Sequence, residues 1–150
     1  MANVVYNQYK EKMIKGTAAF TDATADYGVL LVTSAYTATE TDTVTQATAE
    51  EVSTSGYARK QLNNVAVTKV TVGATGTDDF FKVDADNAVF GPSVTISAAG
   101  AVVFKKGTSL TDTPESIVTF VDFSGTKSSS AGDFTVVWNA NGILNYKQGV

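Results

Sequence analysis

Apolar residues in this chain gather in short runs of strand length, separated by stretches rich in Thr, Ser, Gly, Asp and Asn. Tyr27 to Thr33 (YGVLLVT) is continuously apolar, the pattern of a central strand buried on both faces. Val65 and Val67 alternate with polar neighbours, and Val70 and Val72 follow. Further strands are predicted at Phe80–Val83, Ala88–Phe90, Val94–Ile96, Ala101–Lys105 and Ile117–Phe123. A shorter one starts at Glu50-Glu51 and runs to a turn at Ser55-Gly56. Turn chemistry separates these runs at residues 73–79, at Asp84–Asn87, at Gly91-Pro92 and at Ser128–Gly132. Residues 36–50 are Thr-rich and acidic, with Val44 as their large aliphatic residue, and read as a surface excursion or long loop. Only Val5–Lys15 has helical spacing: Tyr6, Tyr9 and Met13 share one face, Asn3 or Asn7 offers a cap, and Gly16 a stop.

Strands that recur with turn signals between them, and no strand–helix alternation, predict a mainly β chain. The expected architecture is an antiparallel β-sandwich or jelly-roll-like barrel with one short N-terminal helix, forming a single domain over residues 1–150. The abundance of β-branched Thr and Val supports this. Asp133–Trp138 alternates, Asn139–Gly142 is a turn, and Ile143–Tyr146 reads as the returning strand of a terminal hairpin. Trp138 then caps the end of the core or offers an aromatic platform. The helix face of Tyr6, Tyr9 and Met13 either covers one end of a sheet or docks on a neighbouring subunit.

The chemistry available is narrow. The chain has 150 residues, no His and no Cys, and a net charge of -4 with a single arginine, Arg59. Disulfides, thiolate chemistry and histidine acid–base catalysis are therefore excluded. The adjacent pair Lys105-Lys106 reads as a solvated strand end and Lys and Arg form no larger cluster, so no nucleic-acid partner is expected. No apolar run approaches the roughly 20 residues that span a bilayer, and no membrane partner is expected. The opening MANVVYNQYKEKM lacks a signal-peptide layout, so synthesis in a cytoplasm is expected, with lysis as another way out.

Asp84-x-Asp86-Asn87 resembles the start of a calcium loop, but Ala88 and Val89 occupy positions where that loop needs an oxygen ligand and a glycine. The acidic pair Asp78-Asp79 likewise reads as a turn. Asp122 is the one carboxylate within an apolar strand; alternation points it outward, and a hydrolase would need a second acid converging on it. No phosphate-binding loop, dinucleotide fingerprint or nucleophile elbow is present. The expectation is a non-enzymatic protein with no cofactor and no metal, acting through its surface.

Several stretches together carry a family resemblance. They are Tyr6-Asn7-Gln8-Tyr9-Lys10 through Lys15-Gly16, Gly28 to Thr37, and Glu51 to Tyr57. Asp84 to Phe90 adds a fourth, and the end adds Asp122-Phe123, Ser128-Ser129-Ser130, Gly132-Asp133-Phe134-Thr135, Trp138-Asn139 and Gly142-Ile143. Over nearly its whole length the chain resembles a widespread family of small virion structural proteins of tailed bacteriophages, some of them similar to capsid decoration, or cement, proteins. The resemblance implies a β-sandwich-like body on the capsid surface, made in the host cytoplasm. Its partners would be the phage major capsid protein and further copies of itself. Tyr6, Tyr9, Met13, Tyr36 and Trp138 are the expected interface residues. A tail or fibre component holding a host glycan is the alternative. Two stretches, 38–50 and 73–79, depart from the family pattern and are candidate attachment or outward surfaces.

Overall fold

The computed structural model describes residues 2–16, 26–72 and 79–147. In chain order the elements are β1 (Val4–Val5), α1 (Asn7–Ile14), β2 (Tyr27–Val32), α2 (Val44–Ala49), β3 (Lys60–Gln61), β4 (Ala66–Val70), β5 (Phe80–Asp84), β6 (Ala88–Lys105), β7 (Ser116–Val136) and β8 (Leu144–Lys147). They form two antiparallel sheets, one of five strands in the order β1-β7-β6-β2-β3 and one of three in the order β4-β5-β8. The chain is mainly β and sandwich-like, and it is not a closed barrel.

The continuous apolar run of β2 is explained by two cores. Tyr27, Val29 and Leu31 point into a core shared with the small sheet, where Val83, Leu144, Phe90 and Trp138 also lie. Leu30 and Val32 point the other way, into a second core with Tyr6, Tyr36, Ala47, Phe104 and Phe120. The neighbouring stretch of β6 splits likewise, Ala101 and Val103 to one side and Val102 and Phe104 to the other. Fully burying each large side chain contributes about 1.5–3 kcal/mol, so a strand packed on both faces anchors the sheet.

The second core is covered by the stretch expected to be a loop. Within residues 36–50 lies α2, begun by a capping box: the Thr43 N–H donates to Gln46 Oε1 at 2.7 Å. Ala47 is its buried contact, and Tyr36 is buried too. The sequence Thr43-Val44-Thr45-Gln46 carries the capping-box signature, a signal that composition alone hides.

α1 is shorter than Val5–Lys15 and has no side-chain cap; Tyr6 is its N-cap. The exposed N-terminal amide of Asn7 instead donates to Glu40 O at 2.8 Å, tying the helix to the 36–50 excursion. Asn3 is used elsewhere, accepting from the Asp122 N–H. Gly16 ends the helix at φ 69°.

Two expected turns resolve differently. Gly91-Pro92 and Ser128–Gly132 do not end strands. β6 and β7 run through them as one long bent ladder with register shifts between Phe90 and Val94 and between Val94 and Ile96. Side-chain hydroxyls replace the ladder bonds there. Ser129 Oγ donates to Val94 O and accepts from the Ile96 N–H, and the Ala131 N–H donates to Thr95 Oγ1. That is how a Ser-rich stretch stays in a sheet.

The terminal hairpin is also corrected. Phe134 and Val136 pair with Phe90 and Ala88, whereas Leu144–Lys147 pairs with β5 in the other sheet. The Asn139–Gly142 turn exists, with the Gly142 N–H donating to Asn139 O at 2.8 Å. It carries the chain between sheets rather than back along one. Trp138 fixes the departure point, since its Nε1–H donates to Asp86 O at 2.9 Å and its backbone N–H to Asn87 Oδ1.

Candidate interaction surfaces

Of the five residues expected at an interface, four serve the chain's own cores. Tyr6 and Tyr9 are fully buried, and Tyr36 and Trp138 nearly so. The Tyr6 and Tyr36 hydroxyls share a hydrogen bond at 2.7 Å beneath the 36–50 excursion. Tyr9 lies in the other core beside Tyr27. These four are therefore not surface contacts. The helical spacing of Tyr6, Tyr9 and Met13 marks a helix that covers a sheet, and Trp138 closes the end of the core. Met13 alone reaches the surface: it is half-buried, and the exposed Tyr146 hydroxyl donates to its sulfur at 3.2 Å.

All six tyrosine hydroxyls have their pKa raised, with burial as the leading cause in each; Tyr36 is pushed up to about 12. The folded chain thus keeps phenolic protons that the unfolded chain releases near pH 10. Their contribution is fully present below about pH 10 and is lost as pH climbs toward the folded values. The urea midpoint is expected to be flat from neutral pH to about 9 and to fall steadily above about 10. A midpoint that holds to about pH 12 would mean that the phenols ionise without leaving the fold.

Met13 adjoins an apolar surface on the small sheet. In register, Lys69 of β4, Phe81 of β5 and Tyr146 of β8 form one row across the three strands. Phe81 is 52% exposed, and Val67 and Tyr146 are exposed beside it. Ile14, next to Met13 on α1, is 87% exposed. On the same face of the sheet, Val83 and Leu144 one row along are buried, so the sheet outruns its core at the Phe81 row. Lys69 pairs with Asp79 at 2.7 Å, and this ion pair holds the Asp79 carboxyl below its ordinary range.

A second feature lies at the outer edge of β7. β1 covers β7 only at Thr119 and Phe120, and beyond them no strand of the described residues pairs with that edge. An open cleft of about 470 Å³ sits there, lined entirely by residues 121–123, 127–128 and 133–137. The strand doubles toward itself around this cleft, so that the Phe123 and Phe134 ring centroids lie 5.9 Å apart although the two residues are eleven positions apart in the chain. Asp122 and Asp133 both line the cleft. Asp122 Oδ1 accepts from the Ser124 N–H, and Asp133 lies against the bare Cα of Gly91. The rim also carries Lys127, so its charge is mixed rather than doubly acidic.

The other sequence candidates resolve into local structure. Asp84 pairs with Lys82, and Asp86 accepts from Asn64 Nδ2 at 2.7 Å. Asp79 accepts from the Val72 N–H, while Asp78 lies outside the described residues. Lys105 pairs with Glu115 at 2.9 Å. No group of three or more acidic side chains that could hold a metal ion occurs among the described residues. Sequence reasoning missed Phe81, Lys127, Asp133 and Val137. The doublet Phe80-Phe81 was the available signal, because neighbouring strand residues face opposite ways and only one of the two can enter a given core. In comparisons with known proteins, no family model, curated protein or solved structure matches the chain.

Proposed function

We propose that this chain is a virion assembly protein of the decoration type. It binds the repeated lattice of a tailed-phage major capsid protein from outside and stabilises it through protein–protein contacts, without catalysis or cofactor. Two things support this reading: the sequence resemblance described above and the exposed apolar residues Phe81 and Tyr146 of one sheet row, with Val67 and the half-buried Met13 beside it. That row is the observation that carries it. A contiguous apolar surface beside an unpaired strand edge marks a protein contact. Repetition on a symmetric shell multiplies a modest contact into strong attachment.

The test is cosedimentation of the purified chain with heads that lack it, followed by electron microscopy of the pellet. Evenly spaced density on the shell is expected. Phe81→Asp, which places a charge in the row without touching either core, is expected to weaken binding at least about tenfold, as loss of a central aromatic anchor does. Binding unaffected by Phe81→Asp would move the contact to another surface. Density on tails or fibre tips, and none on heads, would replace this reading with the tail or fibre alternative and its glycan ligand.

A further inference from the structure

The cleft on β7 is self-complementary. Its floor is apolar, built by Phe123 and Phe134 with Val121 and Val136 beside them. Its rim bears an apolar knob, Val137, with 69% of its surface exposed. The same rim carries both signs of charge in Lys127 and Asp133; Asp122, the third charged residue of the lining, already accepts from the Ser124 N–H. Among the described residues neither the Lys127 nor the Asp133 side chain makes an ion pair or hydrogen bond.

We propose that a second copy of this chain occupies the cleft about a two-fold axis: Val137 of each copy enters the other's hollow, and Lys127 meets the partner's Asp133. A two-fold contact uses one patch twice, so that patch must hold both knob and hollow and both charges. This one does. A wholly acidic or wholly basic partner would satisfy one rim charge and repel the other, which favours a copy of the same surface over a charged segment of another protein. A cleft of about 470 Å³ also has room for a valine side chain and its neighbours.

The contact is made by side chains rather than by adding strand to strand. Ser124, Gly125 and Ala131 all have positive φ, and these bulges interrupt the β7 edge on both sides of Lys127. The dimer stands or falls independently of the lattice reading, because it is tested on the purified chain alone.

Sedimentation velocity over a concentration series is expected to show a reversible monomer–dimer equilibrium. Lys127→Asp sets two like-charge contacts in each dimer and is expected to raise the dissociation constant at least about tenfold. Asp133→Lys should do the same. Combining the two exchanges the signs and re-forms both pairs, so the double variant should return to within about threefold of the starting value, a rescue that structural damage would not give. Should Asp133→Lys not fold beside Gly91, Lys127→Asp and Val137→Asp, both at exposed positions, carry the test. Phe81→Asp should leave the dimer intact. A chain that stays monomeric at every concentration, or a dimer whose dissociation constant the Lys127 and Val137 variants leave unchanged, would overturn the proposal.

Discussion

Replacing Arg59 with Ala lowers the unfolding free energy by about 3–5 kcal/mol, the cost of removing one partner from a buried ion pair. The guanidinium spans three elements of structure. Its Nε and NH2 donate to the two carboxylate oxygens of Glu51 at 2.8 and 2.6 Å. Its NH1 donates to the carbonyls of Leu110 and Asp112, holding the 106–115 loop, and its plane lies over the Phe104 ring at 5.5 Å. Both side chains are about 15% exposed, which leaves little water to screen Glu51 once the arginine is gone. Tyr57 would then be the remaining partner of that carboxylate, donating at 2.9 Å while its oxygen accepts the Leu31 N–H. Arg59→Lys keeps the charge but not the fork, so it should recover about half of the loss. Urea unfolding with matched slopes reads both. A loss under about 1 kcal/mol for Arg59→Ala would mean that water fills the site and the pair behaves like a surface one.

Gly142→Ala is expected to cost about 2–5 kcal/mol, from left-handed backbone strain of about 1–2 kcal/mol and an overlap costing about 1–3 more. Gly142 has φ 86°, and a Cβ built on it would lie 2.5 Å from the Val83 carbonyl oxygen. That oxygen accepts the Ile143 N–H at 2.8 Å, so neither atom can move without breaking the bond that seats the chain in the small sheet. Gly125→Ala is the control, since it also has positive φ but nothing within 4 Å of its Cβ. It should lose only the strain. Equal losses at the two positions, measured by the same denaturation, would show that the Val83 overlap relaxes away.

How much of this was legible in the sequence divides along physical lines. β2 could be read because burial on both faces leaves an unbroken apolar run, and Tyr27–Val32 lies almost where the run predicts. The long strands β6 and β7 could not, because Gly91-Pro92 and the Ser128–Gly132 stretch carry turn chemistry that the fold absorbs as bulges. Local composition does not say whether a ladder resumes beyond a break. The pairing of β8 was hidden for a similar reason. Asn-Gly predicts a turn, not the sheet to which the turn delivers the chain. As for the surfaces, tyrosine at helical spacing is equally consistent with a docking face and a core face, and only burial separates them. Phe81 stands out because the sheet runs past its core there, a property of tertiary extent, whereas Val137 is exposed because alternation turns it away from the core that takes Val136 and Trp138.

The pairing of β1 with β7 spans 115 residues of chain, as the Thr119 hydroxyl's bond to Val4 O records. Contacts between residues so distant in sequence carry a large loop-closure cost and form late, whereas the β6–β7 ladder joins neighbours and can form early. During folding the outer side of β7 is therefore bare along its full length, when an unpaired strand most readily captures another chain. Beyond Thr119 and Phe120, where β1 never reaches, the edge presents Ser124-Gly125-Thr126-Lys127-Ser128-Ser129-Ser130, small and polar, with one lysine and kinks at both ends. Such a strand makes a poor template for aggregation, so the serine tract guards the part of the edge that β1 leaves unpaired, during folding and after it.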